Sequence, residues 1–199
     1  MLSQKIAVDI VLFPDKKLSQ EIIVLNQNLE GSGKTKIRLN LKNCLPHISL
    51  AMGCVDMDNL EIIKGILSKI GKELLPLEIP ITRVESSIDN QGKGLTLVVL
   101  QKDKKLQELH EEILKGVENY LTTGVKKEMM ASQEEIGNST FHWIDHYLSH
   151  HSKENFSPHI TVGFGILSKP VRLQNPLILT TSTLGICQLG NHCTCRKVL

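Results

Sequence analysis

Residues 43–52 read NCLPHISLAM, and residues 155–164 read NFSPHITVGF. Both stretches place Asn, Pro, His, Ile and a hydroxyl at matched positions, in a chain with only 8 histidines. Proline cannot donate to a sheet ladder, so each proline marks the start of a strand and puts His47 and His159 near strand mouths. Side chains along a strand alternate between its two faces. That alternation predicts Ile48, Leu50 and Met52 on one face and His47, Ser49 and Ala51 on the other. In the second copy Ile160, Val162 and Phe164 share a face, and His159, Thr161 and Gly163 share the opposite one. Each strand is then expected to bury an apolar face and to show an imidazole, a hydroxyl and a very small residue, Ala51 or Gly163, that leaves room for a ligand.

Two imidazoles on a shared cleft divide labour. The neutral one takes a proton from an attacking hydroxyl or water, and the protonated one gives a proton to the leaving oxygen. Imidazole suits both tasks because its unperturbed pKa, about 6.5, lies near working pH. Ser49 and Thr161 add a hydrogen-bond donor two residues along the same face. A tetrahedral anion with several oxygens fits between two such pairs, and a phosphodiester is the natural guest. No metal or other cofactor is needed, because the imidazolium supplies charge and proton together. One PHIS alone is more simply a hydrogen-bonded histidine at a strand end; the repetition of the whole pattern points to a paired site.

HISL and HITV resemble the His-x-[Ser/Thr]-hydrophobic pair of the 2H phosphoesterase superfamily. That group includes 2'-5' RNA ligase-like proteins and phosphodiesterases that open cyclic phosphates. The resemblance extends over nearly the whole chain. It implies a bilobal α+β fold, with two antiparallel sheets in a pseudo-twofold relation around a central cleft and helices on the outer faces. It also implies His47 and His159 as the acid/base pair, with Ser49 and Thr161 binding phosphate. The expected substrate is an RNA end or small nucleotide carrying a 2',3'-cyclic phosphate or a 2'-5' linkage, with ligation as the formal reverse reaction. Some members of the group hold nucleotides without evident catalysis, so a non-catalytic nucleotide- or RNA-end-binding module on the same scaffold is the alternative.

The rest of the chain fits this frame. A length of 199 residues predicts one domain over 1–199, bilobal rather than divided. Apolar residues at 41% and charged residues at 22% are ordinary for a globular chain. A net charge of +2 argues against tracking the many phosphates of a long double-stranded nucleic acid. No run approaches the roughly 20 apolar residues of a membrane span. Five cysteines without a dense framework predict reduced thiols and a cytoplasmic setting.

Ile6, Val8, Ile10 and Leu12 alternate as a first strand ended by Pro14. Leu18, Ile22, Leu25 and Leu29 follow helical spacing. Asp58 and Glu61 form a capping-box pattern before the helical series Leu60, Ile63, Leu67 and Ile70. LEIPITRVES and GLTLVVLQ read as paired strands, and Leu106, Leu109, Ile113 and Val117 as a third helix. TFHWIDHYLSHH has helical character. LILTTSTLGICQL and CTCRKVL read as strands around a Gly-Asn turn. Strands in pairs with helices between them give α+β with antiparallel pairing.

Three other features are set aside. NLEGSGKT fails the phosphate-loop pattern because Asn28 stands where its first glycine belongs. His142, His146 and His150 recur every fourth residue, yet Trp143 occupies the position of the protease glutamate. Cys187, His192, Cys193 and Cys195 crowd together without a second Cys-x-x-Cys. Asp9 and Phe13, on the less apolar face of the first strand, are candidates to line the cleft.

Overall fold

The computed structural model describes residues 4–30, 37–88, 92–131, 134–169, 171 and 177–199. The GSGKTK loop lies outside them. Strand β1 (Lys5–Phe13) stops at Pro14. Helix α1 (Lys16–Gln27) starts behind Asp15, whose carboxylate accepts from the Leu18 N–H and caps the first turn. A short β2 (Leu29–Glu30) follows, and β3 (Ile48–Asp56) carries the first motif. Helix α2 (Leu60–Leu74), β4 (Leu77–Ile88) and β5 (Gly94–Leu100) come next. The expected Asp58–Glu61 box does not form: a 3-10 turn at Met57–Asn59 leads into α2 without a side-chain cap, and Glu61 pairs with Lys64. Helix α3 (Lys104–Val117) is capped by Asp103 on the Leu106 N–H. The chain continues as α4 (Asn138–His150), β6 (His159–Phe164) with the second motif, and β7 (Ile166–Leu167). It closes with β8 (Ile178–Thr181), β9 (Thr183–Leu189) and β10 (Cys195–Val198).

The strands form one antiparallel sheet in the order β10-β9-β1-β3-β6-β5-β4-β8, plus a β2-β7 ribbon. The run LILTTSTLGICQL is therefore not one strand. It breaks at Ser182 into β8, at one edge of the sheet, and β9, beside the other edge. Thr181 and Thr183 span at most about 7 Å, so the sheet must curl until its ends approach. The Thr181 hydroxyl donates across that closure to the Phe13 carbonyl at 2.8 Å.

Four strands lie on each side of the β3–β6 junction, which is held by one register pair, Ile48 with Ile160. The two expected sheets are thus two halves of a single curled sheet. Main-core residues from α1, α2 and α3, such as Ile22, Ile63 and Leu109, pack with Ile10, Leu12, Ile48 and Ile160. Each such side chain contributes roughly 1.5–3 kcal/mol by leaving water. Helix α4 packs on the opposite face, where Ile144 and Tyr147 meet Ala7, Met52 and Cys54. It forms a wall of the cleft rather than an outer layer.

The two motif strands carry the same irregularity. Pairing of β1 with β3 passes from Ile10–Ala51 to Val11–Ser49, which leaves Leu50 extra. Pairing of β5 with β6 passes from Thr96–Gly163 to Leu97–Thr161, which leaves Val162 extra. A bulge reverses the facing of residues beyond it, and this corrects the simple alternation. Met52 and Phe164 turn to the cleft, while Ala51 joins the main core. Gly163 faces α1, where an added Cβ would stand 2.8 Å from Asn26 Nδ2. The small residues therefore serve packing behind the sheet and do not make room for a ligand.

Candidate active site

His47, Ser49, His159 and Thr161 all line one cavity of about 690 Å3 on the α4 face. All four are half-buried. The local fold follows from the prolines, since a residue before proline is held extended. Each histidine turns its ring back on the residue two positions earlier: His47 Nδ1 lies 2.7 Å from the Leu45 carbonyl oxygen, and His159 Nδ1 lies 2.8 Å from that of Ser157. A carbonyl only accepts, so Nδ1 carries the hydrogen in both neutral rings. Nε2 is left as the basic nitrogen in each.

Burial holds both imidazoles below the usual histidine pKa. For His47, the Leu45 carbonyl and, in the protonated ring, the Cys193 backbone pull upward, and the charge of His159 pushes further down. For His159, the Ser157 hydrogen bond opposes the effect of burial. The charge of His159 thus reaches His47 across the cavity.

Asp9 is the main addition to the predicted quartet. It is fully buried, at 0% exposure, and its Oδ2 accepts the Ser49 hydroxyl hydrogen at 2.6 Å. The same oxygen lies 3.6 Å from His47 Nε2, while Oδ1, also buried, has no hydrogen-bond partner among the described residues. Burial pushes the Asp9 carboxyl well above the ordinary carboxylate range, against the Ser49 bond. Burial lowers His47 and raises Asp9, so both shifts work against charging this pair. Phe13, the other residue of β1 proposed for the cleft, packs instead against Gly185 and the Val11–Cys187–Cys195 cluster.

Residues outside the motifs complete the walls. Tyr147 on α4 donates to the Ser49 carbonyl at 3.2 Å and so fixes the backbone of the first motif. Trp143 stacks on His151, with ring centroids 3.9 Å apart. Across the cavity Phe164 meets His192 edge-on at 4.7 Å and carries the Lys93 ammonium 3.6 Å above its ring. Only the helical character of TFHWIDHYLSHH hinted at the α4 wall. His192 and Phe164 gave no usable signal, because a loop with positive φ presents the first and a bulge the second.

His142, His146 and His150 follow one another along α4 in tilted and edge-on ring contacts, and among the described residues no group of three or more His, Cys, Asp or Glu side chains is arranged to hold a metal. Cys187 and Cys195 form a disulfide, with Cα atoms 5.3 Å apart, while Cys44, Cys54 and Cys193 are free. That pairing departs from the expected set of reduced thiols, because the β9–β10 hairpin brings the two residues within bridging range.

A cleft built on two His-x-[Ser/Thr] strands of one curled antiparallel sheet fits the 2H phosphoesterase superfamily. The family model of the 2'-5' RNA ligase superfamily matches residues 38–178, and the chain belongs to that superfamily. The fold is similar to the crystal structure of E. coli LigT in apo form, with a TM-score of 0.50 and 13% identity, over 99% of this chain and 96% of that one. No curated protein matches the chain. Among the described residues no helix is long and apolar enough to cross a membrane.

Proposed function

We propose that this chain is a metal-independent phosphodiesterase acting on a 2',3'-cyclic phosphate, or on a 2'-5' linkage, at an RNA end or small nucleotide. His47 and His159 are the acid/base pair, and Ser49 and Thr161 bind phosphate oxygens. One neutral imidazole takes a proton from water as the water oxygen attacks phosphorus. The other, protonated, delivers its proton to the ribose oxygen that leaves. The two rings thereby exchange charge states, and solvent resets them. Ligation is the formal reverse. One domain over 1–199 and a cytoplasmic setting belong to the same proposal; three of the five cysteines are free.

The observation that carries it is the matched anchoring of two imidazoles, each by Nδ1 to a carbonyl two residues back, on one cavity with both hydroxyls. Family membership supports it. One observation favours the binding-module alternative: Ser49 already gives its hydrogen to Asp9, and must turn before it serves an anion.

The test is incubation with 2',3'-cyclic nucleotides in EDTA. Product is expected from the wild type, with losses of roughly 10²–10⁴ in His47→Ala and in His159→Ala. A bell-shaped pH profile should accompany it, because one ring must be neutral and the other charged. Tight binding with no product would establish the module, and activity that survives either alanine would remove the histidine pair.

A further inference from the structure

Outside the cavity lining, two buried polar side chains, Asn26 and His110, each make bonds to both motif regions. Asn26, 3% exposed on α1, donates through Nδ2 to the Val162 carbonyl at 2.7 Å and to the Ile37 carbonyl at 2.8 Å. Its Oδ1 accepts from the Leu39 N–H at 3.1 Å. His110, 0% exposed on α3, places Nδ1 2.8 Å from the Leu50 carbonyl and accepts at Nε2 from the Lys153 N–H at 2.9 Å. Its ring stacks on Phe156, with centroids 4.0 Å apart and planes 7° from parallel.

Leu50 and Val162 are the two bulge residues, whose carbonyls the ladder does not serve in the regular way. The other ends of the bonds are on the chain leading into the opposite motif. Asn26 joins the bulge beyond His159 to the segment 37–39 that runs toward His47. His110 joins the bulge beyond His47 to Lys153, just before His159. The helices themselves cross over: α1 follows β1 yet packs on β6, and α3 follows β5 yet packs on β3. Meanwhile the direct junction of the halves is the single pair Ile48–Ile160. We propose that Asn26 and His110 are positioning residues, crossed braces that set the spacing of His47 and His159 across the junction. Burial holds His110 down to about 4, so at neutral pH the ring keeps one donor and one acceptor, as both of its bonds require.

The spacing matters to catalysis only through the phosphodiesterase proposed above, so the experiment has one readout free of turnover. Asn26→Leu and His110→Phe are prepared, the latter retaining an aromatic ring against Phe156. The pKa of His47 is followed by NMR without ligand, alone and with His159→Ala added. In the wild-type background, removal of His159 should raise the His47 pKa, since its charge pushes that pKa down. In either brace variant that rise should shrink by at least half. With a 2',3'-cyclic nucleotide, kcat should fall about 10- to 100-fold while KM stays within about threefold, as expected for misplaced catalytic groups. If His110→Phe does not fold, His110→Gln, which keeps an acceptor for Lys153 and loses the Leu50 bond, is judged by the same measurement. Folded variants that retain the full wild-type response of His47 overturn the brace, whatever their turnover. A wild type that turns nothing over ends the phosphodiesterase proposal and leaves the titration to decide the brace alone.

Discussion

His110 offers a test of the buried polar architecture through pH. Its pKa is held down to about 4 in the folded chain, against an ordinary 6.5, chiefly by burial. A base with a depressed folded pKa contributes its stability in full above pH 6.5 and loses it as pH falls toward the folded value. At 1.36 kcal/mol per unit, the interval from 6.5 to 4 is worth about 3 kcal/mol. His110→Phe cannot titrate. At pH 7.5 it leaves the Leu50 carbonyl and the Lys153 N–H without their partner, at roughly 1–3 kcal/mol each. The larger ring adds an overpacking cost, but that cost does not vary with pH. Urea unfolding at steps from pH 7.5 to 4.5 gives both stability curves, and their difference cancels the other histidines. The wild-type advantage should be flat above pH 6.5 and then shrink by up to about 1.4 kcal/mol per unit, by about 2.5 kcal/mol in all at pH 4.5, leaving the pH-independent part. Curves that stay parallel from pH 6.5 to 4.5 would show that His110 is not held neutral, and the account of its two bonds would fail.

Asp9→Asn should show the opposite slope. A carboxyl raised well above 3.8 by burial costs the wild type stability as pH climbs from there, so the variant should gain on it by up to about 1.4 kcal/mol per unit. A pH-independent difference in the same urea series would rule out the buried neutral carboxyl. Gly163→Ala should destabilise by about 2–4 kcal/mol, because φ is +151° and the new Cβ meets Asn26 and Leu29. Ala51→Gly, at the matching place in the first motif, should cost only roughly 0.5–1 kcal/mol; equal losses at both sites would refute the difference in backbone. Alkylation of the denatured chain without reductant should label three cysteines by mass, and five after reduction. Five labels before reduction would show that Cys187 and Cys195 are not bridged.

Much of the plan was legible because it depends on local periodicity. The alternation of β1, the helical series of α2 and α3, and the repeated Pro-His-Ile-hydroxyl pattern all survive in the structure. Four side chains predicted to share a cleft do line one cavity. What escaped depends on distant partners. The bulges at Leu50 and Val162 arise from register against β1 and β5, which no single segment encodes, and they moved Met52 and Phe164 to the cleft. The break at Ser182 follows from sheet closure, not from any turn signal. Asn26 and His110 sit within helical patterns as ordinary polar residues, and their importance lies in bonds to chain segments far from them in sequence. Cys187 and Cys195 pair only because a hairpin brings them together.

The Ile48–Ile160 pair also bears on the spacing that the proposed acid/base pair requires. In antiparallel register, one residue on from that pair sets His47 opposite Thr161 and Ser49 opposite His159. Each ring then faces a hydroxyl, and the histidines are diagonal neighbours, about 7–8 Å apart at the backbone. Directly opposed histidines would bring their rings into contact and leave no gap for a ligand. On the diagonal each ring is drawn back on its own carbonyl by Nδ1, and the two hydroxyls occupy the other diagonal, the arrangement the proposed phosphodiester site calls for. A register slip of one residue would send one motif's ring into the main core. The braces behind the bulges therefore act where precision is needed, on the strand segments immediately beyond each histidine.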